Sequence, residues 1–145
     1  MSDPSLAVQK ALRARLVANA AVTALVPATN ILDHNQRPAL DPSIVLGEDQ
    51  VVDQNNLTIR RDYVRVYPTI HIWKKEPSLQ GVKAISGGIR RAIGRLQPLE
   101  LGDPDFVCSD CVIENARFLR DPDGEHSHGV LTLNVLVQQH WSVTI

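Results

Sequence analysis

The chain opens with apolar positions spaced as on one side of a helix, at Leu6, Leu12 and Leu16. Asp3 and Pro4 stand just before them, and a capping side chain followed by proline is typical of a helix start. The pattern predicts an N-terminal helix that is interrupted or capped again at Asn19. A short second helix should follow and end before Pro27.

The middle of the chain carries strand patterns. A short strand at residues 30–33 and another at 43–46 are followed by a polar stretch, which is either a surface loop or an extended hairpin. Residues 63–73 are rich in β-branched side chains and predict the best strand of the first half. Pro68 within it indicates an edge position or a bulge, because proline cannot donate to a sheet ladder.

The main helix is predicted to begin at Pro77 and Ser78 and to run to about Leu96. Its apolar residues step by three or four, so that one side docks on a sheet. Gly87 and Gly88 fall in its middle, where each glycine costs about 1 kcal/mol relative to alanine. That cost is tolerable if another backbone passes close by.

The C-terminal third predicts a long β-hairpin, residues 111–120 and 129–139 around the turn sequence DPDGE. If Arg120 lies near His126 across the turn, Cys111 lies opposite Val135. The predicted fold is therefore α+β. An antiparallel β-sheet with this hairpin packs against an N-terminal helix and a central helix, in a single domain over residues 1–145.

Composition excludes several classes of protein. Hydrophobic residues make up 43% of the chain, yet no run approaches the roughly 18 to 20 apolar residues of a membrane span. The N-terminus lacks the basic and apolar regions of a secretory signal, and there are two cysteines. We expect a soluble protein, made and folded in a reducing cytoplasm.

Catalytic and cofactor motifs are missing from the sequence. There is no nucleophile elbow, and the Ser-Gly-Gly at residues 86–88 lies inside a predicted helix, where it cannot cradle phosphate. Cys108 and Cys111 have the spacing of half a zinc site, but His140 is the nearest further ligand and no fourth is evident. Two thiols at a strand entrance are the preferred interpretation. The prediction is a protein that is not an enzyme and that uses no cofactor and no metal.

Charge is divided unevenly along the chain. Residues 60–95 hold nine Lys or Arg against two acids, and residues 96–145 hold two Arg against eight acids. The division describes either a mixed solvated surface or two complementary faces, which would suit head-to-tail self-association. The basic helix 79–96 also admits DNA binding, but the pI of about 6.5 and the lack of a groove-reading motif favour a solvated face or a subunit contact.

Four segments, taken together and in order, resemble a known family. They are MSDPSLAVQKALRARLVANAAVTALV, SIVLGEDQV, HIWKKEPSLQGVKAISGGIRRAI and ENARFLRDPDGEHSHGVLTLNVLVQ. The family is that of the tail completion, or tail terminator, proteins of long-tailed bacteriophages, prophages and gene transfer agents. The chain departs from a typical short member in its Pro-interrupted segment 55–68 and in the cysteine pair, which leaves the loop geometry there open.

The resemblance implies a virion protein at the head-proximal end of a tail, assembled in the bacterial host cytoplasm. Six copies would form a ring that caps the tail tube, stops its polymerisation and docks to the head-completion (stopper) protein, while DNA passes through the lumen without sequence-specific binding. Another head–tail connector component is the alternative. Residues 47–58 and the DPDGEHSH turn are candidates for contacts above and below the ring. The candidates for ring contacts are Lys83, Arg90, Arg91, Arg95, Glu48, Asp49, Asp121 and Asp123.

Overall fold

Within the described residues, three α-helices and a five-stranded sheet share one hydrophobic core. A computed structural model describes residues 3–34, 40–94 and 98–140. The elements are α1 (Pro4–Ala18), α2 (Ala20–Thr23), a 3₁₀ turn (Ala28–Asn30), β1 (Ile31–Leu32), β2 (Ser43–Asp53), β3 (Tyr63–Lys75), α3 (Gln80–Ile93), β4 (Phe106–Arg120) and β5 (His126–Gln139).

The strand order in the sheet is β1-β2-β3-β5-β4. The four long strands pair antiparallel, as predicted, and the predicted α+β fold is confirmed. The two-residue β1 adds a parallel pairing to β2 that the prediction did not include, so the sheet is mixed. The strand β3 has a neighbour on each side and is not an edge.

Side-chain caps set the ends of the N-terminal helices. Asp3 accepts a hydrogen bond from the backbone N–H of Ser5 at 2.9 Å and begins α1. Asn19 ends α1 and, by accepting from the N–H of Ala21 at 2.9 Å, also begins α2. The predicted interruption at Asn19 is thus a shared cap. The side of α1 that faces the sheet buries Ala7, Val8, Ala11, Leu12 and Leu16.

The helix α3 begins at Gln80, slightly later than predicted, because two side chains cap its first turn. The Ser78 hydroxyl accepts from the N–H of Gln80, and the Glu76 carboxylate accepts from the N–H of Gly81. The helix ends at Ile93, before the predicted Leu96, which lies outside the described residues. At Gly88 an added Cβ would stand 2.8 Å from the Ala21 carbonyl oxygen, so the predicted close approach of another backbone is confirmed there.

The polar stretch after residue 46 forms the extended hairpin, not the loop, because β2 continues to Asp53 along β3. The register shifts between Leu46 and Asp49, and Asp49 is the partner of Pro68. The bulge interpretation of Pro68 therefore holds: the partner strand takes up the irregularity where proline has no N–H to donate.

The C-terminal hairpin has the predicted register. Cys111 is paired with Val135, and Arg120 with Ser127. Gly124 completes the turn with a φ of 73°, a conformation that favours glycine. The strand β4 begins at Phe106, five residues before the predicted start, and contains two register shifts.

The sheet has two unlike sides. The side that packs against the helices, here called the inner face, carries fully buried aliphatic residues such as Ile70, Leu133 and Val135. The opposite side, here called the outer face, carries the alternate residues of β3 and β5, which are half-buried. No helix among the described residues covers the outer face, and none is long and apolar enough to cross a membrane.

Candidate interaction surfaces

The basic residues predicted on the central helix form an exposed row. Because α3 buries Val82, Ile85 and Ile89 against the sheet, the alternate side of the helix points to solvent. This basic row consists of Lys83, Arg90 and Arg91, all exposed, and within the described residues none of them makes an ion pair. The ammonium of Lys83 lies 5.7 Å from the centre of the Phe118 ring. Arg95, the fourth basic candidate, lies outside the described residues.

The acidic candidates lie at two places on the sheet, the middle of β2 and the β4–β5 turn. Glu48 and Asp49 sit at the β2 bulge, and Asp121 and Asp123 sit at the β4–β5 turn. Glu48 and Asp121 both interact electrostatically with His128, so two stretches far apart in sequence both approach this histidine. Burial, and then repulsion from the Asp3 carboxylate, raise the pKa of Asp49. The sequence placed these acids on turns but did not show that Glu48 and Asp121 approach the same histidine.

Three of the four acids already have structural roles. Asp123 accepts hydrogen bonds from the backbone N–H groups of Glu125 and His126 and contacts the His126 ring at 2.6 Å, and these contacts lower its pKa to about 2. Glu48 accepts from the imidazole of His71 at 3.2 Å. Asp123 therefore builds the turn, and Glu48 orients a histidine. Asp121 also accepts a hydrogen bond in this turn, from the N–H of Asp123 at 3.3 Å, so Asp49 is the acid with more freedom to meet another molecule.

A pair of histidines lies on the outer face, and sequence reasoning missed it. His71 Nδ1 and His128 Nε2 lie 2.8 Å apart, so that one imidazole donates an N–H to the other. The ring of Trp73 stacks on His128 with centroids 3.7 Å apart. Gly47 makes room for His71, since an added Cβ would stand 2.7 Å from its ring. Burial, and then the charge of His71, lower the pKa of His128.

The outer face also holds the aromatic residues that interfaces favour. Tyr63, Tyr67 and Trp73 occupy alternate positions on β3 and are half-buried with no helix over them. A polar chain crosses the face beside them, in which Arg65 donates to Asn134 at 3.0 Å and Asn134 donates to Glu114 at 2.7 Å. The alternation of apolar and polar residues along β3 and β5 indicated that such a face exists. Only the strand order showed which of its residues are neighbours.

The loop between β2 and β3, residues 54–62, presents apolar side chains to solvent. Its anchor is the buried Asp62, whose carboxylate accepts from the Thr58 hydroxyl at 2.7 Å and from the Gln138 amide at 3.0 Å. These hydrogen bonds lower the pKa of Asp62. Ile59 is fully exposed and Leu57 is half exposed. The β2–β3 loop is therefore held by Asp62 and has an apolar tip.

A surface pocket of about 430 Å³ lies between the end of α3 and the edge strand β4. Among the described residues its lining is mostly apolar, with Arg90 as the charged residue. The lining residues are Arg90, Ile93, Gly94, Val112 and Ile113. One end of the basic row thus stands beside an opening large enough for side chains of another molecule.

The sequence of the chain matches a known protein family. The family described as Tail completion protein gp17 matches residues 10–138, which is most of the chain. The chain belongs to the tail completion protein family. It is therefore a structural component of a virion tail, in agreement with the predicted family and location. Among curated proteins none matches the chain.

Solved structures share the fold of this tail completion protein. A chain from a structure titled virion of native gene transfer agent (GTA) particle superposes with a TM-score of 0.78 at 19% identity, over 95% of this chain and 99% of that one. The bacteriophage SPP1 gp17 protein superposes with a TM-score of 0.57 at 20% identity, over 97% of this chain and 94% of that one. At these identities the likeness establishes the fold alone.

The two cysteines of this tail completion protein are unsuited to chemistry at neutral pH. Both thiols are free and buried on the inner face of β4, inside the strand and not at its entrance. Burial raises the pKa of both, that of Cys111 to about 12, so the reactive thiolate is disfavoured. Across residues 3–34, 40–94 and 98–140, no three His, Cys, Asp or Glu side chains are arranged to hold a metal ion.

Proposed function

We propose that this tail completion protein forms a ring that caps the head-proximal end of the tail tube. The ring stops tube polymerisation, docks to the head-completion protein and leaves a lumen through which DNA passes, and it does so without catalysis. The observation that carries the proposal is the placement of unlike surfaces on opposite sides of one subunit. The basic row of α3 points away from the sheet, and the outer face lies on the other side.

Opposite and unlike surfaces are what a closed ring requires. In a head-to-tail assembly each subunit uses one patch toward one neighbour and a different patch toward the other. Within the described residues neither the basic row nor Asp49 and Asp121 make an ion pair. The basic row with Arg95, and these acids with Glu48 and Asp123, are the candidates for contacts within the ring.

The two solved relatives in fold support placement in a virion tail. One is part of a gene transfer agent particle and the other is a phage protein called gp17, so either kind of particle is compatible with this chain. The net charge of −1 agrees with a lumen that lets DNA pass without retaining it. Residues 47–58 and the β4–β5 turn are suited to the partners above and below the ring.

The ring and its capping role are tested with purified protein and tail-tube protein. Negative-stain microscopy should show rings and tubes that stop growing when the protein is added. The charge-reversed variant Lys83→Glu/Arg90→Glu/Arg91→Glu should lose both, while Lys10→Glu, at an exposed lysine on α1, should keep both. A protein that stays monomeric and neither caps nor blocks tubes would overturn the proposal.

The exposed basic row also supports a second candidate, a DNA-binding module. Three positive side chains on one helix face could contact phosphates, and such binding weakens steeply with salt. Arg90→Ala/Arg91→Ala should then abolish binding. Absence of binding at low salt would remove this candidate. Localisation in the particle, against the tube or against the portal, distinguishes the capping role from that of a head–tail connector.

A further inference from the structure

The apolar tip of the β2–β3 loop and the α3–β4 pocket match in size and polarity and have charges of both signs beside them. We propose that Leu57 and Ile59 of one subunit insert into the pocket lined by Ile93, Val112 and Ile113 of the next copy of this chain. The proposal rests on the proposed ring and names the contact that holds it together.

The loop is prepared for such a contact. Asp62 holds the chain through Thr58 and Gln138, and its carbonyl oxygen accepts from the N–H of Gln139 at 2.7 Å. The tip is therefore ordered before it meets a partner, and little conformational freedom remains to be lost on binding. A single exposed aliphatic side chain is ordinary, but Leu57 and the fully exposed Ile59 project from one anchored loop of nine residues.

The pocket matches the tip in size and polarity. If each carbon takes roughly 30 Å³, the volume of a water molecule, the two side chains need roughly 240 Å³. The pocket offers about 430 Å³. Its walls are aliphatic, and Val112 is also 38% exposed on the edge strand, so the opening reaches solvent.

Charges around the tip and the pocket are complementary. Arg60 and Arg61 follow Ile59 directly and are exposed. On β4 the exposed acids Asp110 and Glu114 flank Val112 and Ile113 in sequence, on the outer-face side of this edge strand. Each of these carboxylates accepts one hydrogen bond within its own subunit and keeps further acceptor capacity.

Arg90 on the pocket wall has the opposite sign to Asp110 and Glu114. The exposed Asp53, at the end of β2 next to the loop, has the charge opposite to that of Arg90. Both surfaces therefore carry both signs, which fixes one orientation of docking and disfavours others.

The occupant is a second copy because the contact is not made within one subunit. Ile59 is fully exposed, so it does not enter its own pocket. Tip and pocket are different patches of the same chain, and a contact between different patches repeats from subunit to subunit and closes into a ring.

The contact is tested by mixing two variants that each add one cysteine, Ile59→Cys and Val112→Cys, under mild oxidation. Neither side chain is buried, and the native cysteines are, so the new thiols should react first. We expect a covalent dimer in the mixture. The control is Leu119→Cys, which has the same 38% exposure on the same strand but lies roughly 20 Å farther along it. Leu119→Cys mixed with Ile59→Cys should give no dimer.

A second measurement does not depend on disulfide geometry. Ile59→Ser should leave the thermal unfolding midpoint unchanged and weaken self-association about tenfold or more, as expected for loss of one buried aliphatic side chain. Arg60→Glu/Arg61→Glu should also weaken it, and Asp110→Lys/Glu114→Lys in the mixing partner should restore it.

The outcomes separate this contact from the ring itself. Rings that form with no dimer between Ile59→Cys and Val112→Cys, and that tolerate Ile59→Ser, would overturn the contact and leave the ring standing. A dimer with no rings would support the contact and overturn the ring. If the protein stays monomeric and does not cap tubes, both proposals fail.

Discussion

On β3 and β5, residues of the inner face and residues of the outer face alternate along the same strands but differ in their burial. On the inner face, Ile70 and Leu133 are completely buried under the helices. On the outer face, His71, Tyr67 and Leu136 lie on the same strands, half-buried, with nothing from the helical layer over them. The alternation in β3 and β5 therefore gives the sheet an inner face that stabilises the fold and an outer face that is open to contact with other molecules.

The largest expected difference comes from truncating a leucine on each face of β5. Leu133→Ala should lower the free energy of unfolding by about 2 to 5 kcal/mol, because it leaves a cavity in the core. Leu136→Ala, three residues away on the outer face, should cost less than about 1 kcal/mol. Urea unfolding measures both. Equal losses would show that the outer face is part of the monomer core.

The two glycines of α3 make a similar comparison within one helix. Gly88→Ala places a Cβ 2.8 Å from the Ala21 carbonyl and should cost about 1 to 3 kcal/mol. Gly87→Ala meets no atom within 4 Å and should stabilise by up to about 1 kcal/mol, since alanine favours helix. Thermal unfolding of the two variants checks the signs. A stabilising Gly88→Ala would contradict the close approach of α2.

The histidine pair gives the outer face a dependence on pH. The lowered pKa of His128 means that the folded state takes up a proton less readily than the unfolded state, whose histidine titrates near 6.5. The contribution of His128 to the free energy of unfolding is therefore fully present above pH 6.5. It declines as the pH falls below 6.5, because the unfolded state then binds the proton more readily. We expect a loss of less than about 1 kcal/mol between pH 7.5 and 5.5.

The variant His128→Asn identifies the source of that pH dependence. Unfolding free energies of the two proteins should converge as the pH falls, because asparagine does not titrate in this range. His140→Asn, at an exposed histidine, serves as the control and should follow the unchanged protein. Identical pH profiles for all three would contradict a role for the His71–His128 contact.

The smallest effect on the monomer is expected from the basic row. Arg90→Ala/Arg91→Ala should change the free energy of unfolding by no more than about 0.5 kcal/mol, since both side chains are exposed and neither has an ion pair among the described residues. Chemical unfolding measures this. A large decrease in the free energy of unfolding would mean that the basic row stabilises the subunit itself and is not a free contact surface.

Local patterns in the sequence determined much of this protein. The caps at Asp3 and Asn19, the helical stripe of α3 and the register of Cys111 with Val135 all follow from neighbours within a few residues or across one turn. The family resemblance likewise rested on segments that can be read in order. Such features depend on short-range geometry, which is the same wherever the segment lies in a fold.

Only the tertiary structure decided which surfaces meet. The order β1-β2-β3-β5-β4 brings Glu48, His71 and His128 together from three strands, and it places the end of α3 beside β4 to form the pocket. The polar composition of residues 54–62 concealed an apolar tip, in which Leu57 and Ile59 are exposed while Thr58 between them bonds to Asp62. Contacts of this kind depend on strand order and packing, which no local pattern in one sequence encodes.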